Sequence, residues 1–216
     1  MQEKVKGKAG TNSSRDRILN EAVRLFARKG FGSTGLRELA AAAEVNLAMI
    51  NYFFGSKKTL LKEILDHFFS GYLAVARIDL AGPEDLETRV ERFTLGAAIY
   101  FEENRDALLI AITELPRDDP EILSYKANWG RQLMEIIDRE ICGPAREQDP
   151  DFPPARMVGP LLTSMLASRF LFSPVVSKME SGQEQMDSRE YARYISGFLL
   201  ARIRRKGSAC QKDDEG

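Results

Sequence analysis

Leu36-Arg37-Glu38-Leu39-Ala40-Ala41-Ala42-Ala43-Glu44-Val45-Asn46-Leu47-Ala48-Met49-Ile50-Asn51-Tyr52-Phe53-Phe54-Gly55-Ser56-Lys57 reads as two short helices joined by a tight turn. Leu36, Leu39, Ala40 and Ala43 lie on one face of the first helix, and Val45, Ile50 and Phe54 continue that apolar core after a turn at Glu44. The Ala40 to Ala43 run keeps side chains small where the helices cross. Leu47, Ala48, Met49, Asn51, Tyr52 and Phe53 are left pointing elsewhere. Several of them are large and apolar, and a surface helix gains nothing by showing them to water. The second helix is therefore built to be covered by another molecule.

Upstream, Met1 to Ser14 is polar, carries Lys4, Lys6 and Lys8, and has no periodicity, which predicts a mobile basic arm. Ser14 is placed to cap a first helix through Ile18, Ala22, Leu25 and Phe26, which Gly30 ends. Phe31 anchors the loop, and Thr34 is placed to cap the second helix. Downstream, Lys57 opens a long helix. Leu60, Ile64, Phe68 and Tyr72 form one apolar row on it, Leu61, Leu65, Phe69 and Leu73 another, and it is expected to end near Ala81-Gly82.

Pro83 suits the first turn of the next helix, with Leu86, Val90, Phe93, Ala97 and Phe101 at helical spacing. Asn104 is placed to cap a shorter helix that Pro116 stops. Asp119-Pro120-Glu121 starts another, running to Cys142 before Gly143-Pro144 breaks it into a loop as far as Pro154. Val158, Leu161, Leu162, Met165, Leu166 and Phe170 mark a further helix in which Pro160 either kinks the chain or lies in the first turn. Ser173 to Met186 is ambiguous. Ser188 is placed to cap a last helix in which Tyr191, Tyr194, Ile195, Phe198, Leu199 and Ile203 face one way, before a polar tail at 207–216. No stretch has strand alternation, so the fold class is all-α with about nine helices.

The composition, 44% hydrophobic and 29% charged, is that of an ordinary globular protein. The longest apolar stretch, Val158 to Phe172, is interrupted by Pro160, Ser164, Ser168 and Arg169, so no membrane span or membrane partner is expected. The polar N-terminus lacks the apolar segment of a signal peptide, so the expected location is the cytoplasm. Cys142 and Cys210 have no metal-type spacing, and His67 is the only histidine, read as an ordinary helix residue. With no metal cluster, no Gly-rich phosphate loop and no nucleophile beside a base, neither an enzyme nor a cofactor is expected. The net charge of -1 hides an asymmetry: residues 1–70 hold 12 Lys+Arg against 7 Asp+Glu, while the rest of the chain is acidic. A basic head on an acidic body suits a protein whose head meets a polyanion.

Thr34-Gly35-Leu36-Arg37-Glu38-Leu39-Ala40, then Val45, then Ile50-Asn51-Tyr52-Phe53-Phe54-Gly55-Ser56-Lys57-Lys58-Thr59-Leu60 resembles the N-terminal signature of the TetR/AcrR family of bacterial transcriptional regulators. The likeness runs from about Arg15 to Leu65. It implies a helix-turn-helix head at 15–60 that binds double-stranded DNA and a helical body at 61–206 that binds a small-molecule effector and forms a homodimer, the whole being cytoplasmic and associated with the nucleoid when on its operator. Arg37 matches a position that can reach base edges, where a guanidinium reads guanine, or else it meets a phosphate or pairs with Glu38 or Glu44. Leu47, Ala48 and Met49 are placed to touch thymine methyls or base edges. Asn51 is placed to bond base or phosphate, and the resemblance puts Tyr52 at the DNA backbone. Lys57 is expected to clamp a phosphate, and Thr34 to bind one as well as cap.

Two departures stand out. Phe53 occupies a place where the family often has histidine, and Glu44 a place where it often has glycine; together they keep in view an alternative, a helical interaction module whose head has lost DNA binding. For the body, Tyr72, Phe93, Tyr100, Thr113, Trp129, Met165 and Arg169 are candidate effector contacts, with core packing as the plainer role for each. Leu161, Met165, Leu166, Tyr194, Ile195, Phe198 and Leu199 are candidates for the dimer interface, with burial in a monomer core as the alternative. The helix from Lys57 is a natural lever between head and body.

Overall fold

The computed structural model of the chain describes residues 7–113, 119–179 and 187–207, with side chains from Ser14 to Ala201. The segment before Gly7, Pro116, Ser181-Gly182, the Ile203 side chain and the tail beyond Gly207 lie outside the described residues. All regular structure among the described residues is helical: α1 (Gly7–Lys29), α2 (Leu36–Ala42), α3 (Leu47–Phe54), α4 (Lys57–Asp79), α5 (Leu86–Glu103), α6 (Arg105–Thr113), α7 (Pro120–Ile137), α8 (Gly143–Gln148), α9 (Ala155–Met179) and α10 (Ser188–Gly207). A π-helical turn, Asp138–Cys142, joins α7 to α8 without a break. If that run counts as one, the described helices number nine.

The chain divides into two compact units, Met1–Phe68 with Asp106–Ile122, and Phe69–Arg105 with Leu123–Gly216. The boundary falls inside α4 rather than after Leu60, and the first unit takes in most of α6. In that unit Ile18, Ala22, Leu25 and Phe26 of α1 are buried together with Leu39 and Ala40 of α2, Ile50 and Phe54 of α3, and Leu60, Leu61, Ile64 and Leu65 of α4. These are the rows expected from periodicity. Two helix starts differ from expectation for local reasons. The first helix begins at Gly7, so Ser14 sits inside it, buried, instead of capping it, and the stretch Gly7 to Ser14 is helical and no arm. Thr34 does not cap α2, whose N-cap is Gly35 without a side-chain bond. Its hydroxyl turns inward and donates to the Gly30 carbonyl at 2.9 Å, closing the end of α1.

The turn between α2 and α3 shows why Glu44 matters. The Val45 amide donates to the Ala40 carbonyl at 3.0 Å and the Glu44 amide to the Ala41 carbonyl at 3.2 Å. This pair of bonds is the Schellman ending, which needs a left-handed residue between, usually glycine. Glu44 supplies it at φ 52. A left-handed non-glycine residue costs about 1–2 kcal/mol, of which glycine's looser unfolded chain returns about 0.5–1 kcal/mol. Glu44→Gly is therefore expected to raise stability by about 0.5–1 kcal/mol, read as a higher urea midpoint at unchanged slope. A lower midpoint would mean that the Glu44 side chain contributes more than its backbone strain.

In the second unit α10 packs along α5, and both pack on α9. Val90, Phe93, Ala97 and Phe101 of α5 are buried with Val158, Leu162 and Leu166 of α9 and Ala192, Ile195 and Leu200 of α10. Several boundaries are set by carboxylates that the sequence reading passed over. Asp85, not Pro83, starts α5, its side chain accepting from the Thr88 amide at 2.7 Å. Asp187, not Ser188, caps α10, accepting from the Glu190 amide at 3.0 Å. Asn104 closes α5 instead of opening α6, donating to the Tyr100 carbonyl at 2.9 Å. Asp119 does cap α7 as expected, accepting from the Glu121 and Ile122 amides.

Gly143-Pro144 does not break the helix. Pro144 enters at the start of α8, where a missing amide is harmless, so 143–148 is helical and only the remainder is loop. α9 absorbs both Pro160 and Pro174 and runs on to Met179 through much of the stretch that was ambiguous. By length and a mean hydropathy of 1.2, α9 would pass as a membrane span. It nonetheless buries one face in this unit and carries Arg169, whose guanidinium meets Ser188 and Glu102.

Candidate nucleic-acid interface

α3 is placed by its caps. Asn46 accepts from the Met49 amide at 2.9 Å at one end, and Gly55, at φ 71, ends the helix at the other. Ser56 then accepts from the Thr59 amide at 3.0 Å and starts α4. The Asn46 and Ser56 caps were missed, although a small polar residue just before an apolar run is a legible start signal.

With Ile50 and Phe54 buried, the exposed residues of α3 are Leu47, Ala48, Asn51 and Tyr52, the last 81% exposed. At about 100° per residue, these four occupy one arc of roughly 140° in the order Leu47, Asn51, Ala48, Tyr52. Met49 and Phe53 are half-buried on the shoulder of the helix, off that arc. The Phe53 ring packs edge-on between Tyr52, at 5.2 Å between centroids, and Phe54, at 6.4 Å. Phe53 thus steadies the exposed Tyr52 rather than presenting itself.

Arg37, on α2, is exposed. Its expected competitor Glu38 pairs instead with Lys29, whose hydrogen bond holds the Glu38 carboxyl below the usual range. Thr34 and Lys57 both bond within the head. Thr34 is 1% exposed with its hydroxyl turned inward. The Lys57 ammonium donates to the Phe31 carbonyl at 2.7 Å and the Thr34 carbonyl at 2.8 Å, and lies 4.4 Å from the centre of the Phe31 ring. Its side chain ties the α1–α2 loop to the first turn of α4, because the carbonyls of that loop need a donor.

Lys58 pairs with Asp119 at 2.7 Å and Glu121 at 3.1 Å, and Lys62 with Glu121. The hydrogen bond to Asp119, then that to Glu121, raises the Lys58 pKa; Asp119 is lowered by its bond from Lys58, and Glu121 by its bonds from Lys62 and then Lys58. These pairs are exposed and contribute little stability. Their effect is on the surface field: much of the head's positive charge is met locally, while Arg37 of α2 is exposed.

The body residues do not converge as expected. Tyr72 and Phe93 are core, 3% and 0% exposed, in an aromatic cluster where Tyr72 lies 6.2 Å from Phe93, 6.5 Å from Tyr100 and 4.8 Å from Phe101. The Tyr72 hydroxyl meets the Thr163 hydroxyl at 3.2 Å, and burial pushes its pKa up to about 12. Trp129 stacks instead on Phe69 at 6.0 Å, and Arg169 is held by Ser188. Thr113 belongs to the other unit and donates to the Leu109 carbonyl at 2.7 Å. Met165 lines open space.

That space is a pair of shallow apolar grooves between α9 and α10. One, of about 370 Å³, is lined by Met165, Ser168, Tyr191, Tyr194, Ile195 and Phe198. The other, of about 270 Å³, is lined by residues that include Leu161, Met165, Phe198 and Leu199. Of the expected interface residues, Leu166 and Ile195 are buried at 0% and 4%. Leu161, Tyr194 and Phe198 are exposed, and so, unforeseen, are Met157, Phe172, Val175, Val176 and Met179. Together with Leu161, these five form one apolar stripe, within roughly 100° of arc, along α9. The prolines of α9 had hidden its length.

The sequence profile of bacterial regulatory proteins of the tetR family matches residues 18–64. The probable HTH-type transcriptional regulator YttP of Bacillus subtilis is 33% identical over 129 residues, 60% of this chain and 51% of that protein. The HTH-type transcriptional repressor NicS of Pseudomonas putida is 38% identical over 74 residues, 33% of this chain and 35% of that protein. The matched stretch thus spans about half the length, or less, of these curated relatives. Among solved structures, the TetR family transcriptional regulator PfmR from Thermus thermophilus has a TM-score of 0.62 at 25% identity, covering 86% of this chain and 98% of that one.

Proposed function

Because the chain belongs to the tetR family of bacterial regulatory proteins, we propose that it is a ligand-responsive transcriptional repressor that binds a near-palindromic operator as a homodimer. The observation that carries this reading is the exposed arc of α3, with Tyr52 81% exposed and Arg37 of α2 exposed as well, on a unit whose own core is already closed. A helix of this kind fits the major groove of duplex DNA. Arg37 reads a base edge or meets a phosphate, and Tyr52 bonds to the backbone. The second copy covers the stripe on α9 and the exposed face of α10, so that two heads address half-sites about one turn of DNA apart.

A small molecule in the body releases or rearranges the dimer, shifting the heads through α4. The local pairing of Lys57, Lys58 and Lys62 leaves fewer cations for phosphates, which predicts a modest slope of affinity against salt.

Selection of bound duplexes from a random library by the purified protein tests the reading, repeated with Arg37→Ala and Tyr52→Ala. The expected result is a near-palindromic site for the native protein, a lost or relaxed site for Arg37→Ala, since a bidentate base contact is worth about 1–3 kcal/mol, roughly 5- to 150-fold, and weaker binding to the same site for Tyr52→Ala, whose contact is to the backbone. Failure to enrich any sequence even at low salt would overturn it in favour of a head that no longer binds DNA.

A further inference from the structure

α3 (Leu47–Phe54) carries no Lys, Arg, Asp or Glu. Its outward arc offers the side chains of Leu47 and Ala48, the amide of Asn51, and Tyr52 at the far margin. The one other amide nearby, Asn46, is held as the cap on the Met49 amide. Guanine shows two acceptors to the major groove and cytosine a donor, and apolar groups pressed against them would strip water from all three without replacing it. An A·T pair shows instead the thymine methyl, which an apolar side chain covers at no such cost, and the N6 and N7 of adenine, which an asparagine amide bonds in pairs.

Resting on the DNA-binding reading above, we infer that the base pairs beneath α3 are A·T, with thymine 5-methyl groups seated against Leu47 and Ala48 and adenine read by Asn51. Guanine is confined to the positions that Arg37 reaches from α2. Leu47 and Asn51 are one turn apart, only about 40° around the helix, so they address neighbouring positions in the groove. The apolar character of this helix is then its specificity.

Deoxyuridine supplies the test, because it lacks the thymine methyl and keeps every hydrogen-bonding group. In the operator recovered by selection, each thymine is replaced singly by deoxyuridine and the affinity of the native protein is measured. At one or two positions in each half-site the loss is expected to be about fourfold per methyl. Leu47→Ala, at a site already 37% exposed, keeps its fold by circular dichroism and binds the intact and substituted duplexes equally at the position Leu47 covers. Asn51→Ala relaxes the preference for adenine. Selected half-sites with G·C beneath α3, indifference of the native protein to every deoxyuridine, or an undiminished loss at every position in Leu47→Ala would each overturn the inference while leaving DNA binding intact. A protein that retains no duplex at all overturns the reading beneath it instead.

Discussion

On the proposed reading, Phe198→Glu is expected to turn a dimer into a monomer and to weaken operator binding by about 100- to 10,000-fold. Phe198 is 69% exposed on α10, beside Tyr194 at 56% and across the grooves from Leu161 at 60%. α9 adds an exposed apolar stripe along its 25 residues, roughly 37 Å. Monomeric proteins seldom leave so many large apolar side chains on one face to water. A twofold interface meets itself, so one substitution places two carboxylates in the same desolvated contact. Each head then binds its half-site alone and loses the effective concentration that its linked partner provides, which for paired modules amounts to about 10²–10⁴.

Light scattering gives the mass, and titration of the selected operator gives the affinity. The helical content and melting of the variant should match those of a monomer with its core intact, because the Phe198 ring contributes little to that core. A native protein that is itself monomeric, or a variant that remains dimeric with full affinity, would remove the homodimer from the proposed function.

How far the sequence could be read depended on whether a feature was periodic or a matter of side-chain choice. Rows such as Leu60, Ile64, Phe68 and Tyr72 are buried as their spacing predicts, since a helix has one period and its apolar face must be covered. The left-handed turn at Glu44 was legible too, from a glycine's usual place. Caps were harder, because Thr34, Ser14 and Ser188 have the right chemistry but sit one residue away from, or about two turns inside, the helix start actually used. Lys57 illustrates the limit: its number along the chain suited a phosphate, while two loop carbonyls that only the fold brings near took its ammonium. The aromatic candidates in the body meet a related limit. Large aromatic rings line pockets and fill cores alike, and spacing does not distinguish the two.

Phe93→Ala resolves that ambiguity for the body by its cost. Phe93 is 0% exposed and its ring lies nearly parallel to that of Tyr72, at 6.2 Å and 15°. Tyr72 in turn meets Tyr100 and Phe101, so removing Phe93 opens a hole at the edge of a connected cluster that cannot collapse without moving α4 or α5. A phenylalanine in such a place costs about 3–5 kcal/mol when cut to alanine, a large part of the roughly 5–15 kcal/mol that holds most domains folded. For a chain of this size the melting temperature is expected to fall by roughly 6–20 °C. The cavity so made is apolar and dry, and a small apolar molecule such as benzene should raise the melting temperature of the variant while leaving the native protein unmoved. If Phe93 instead walled a preformed effector pocket, its ring would already border open space and its truncation would cost under about 1 kcal/mol. A loss that small, or equal stabilisation of native and variant protein by benzene, would return Tyr72 and Phe93 to the effector site.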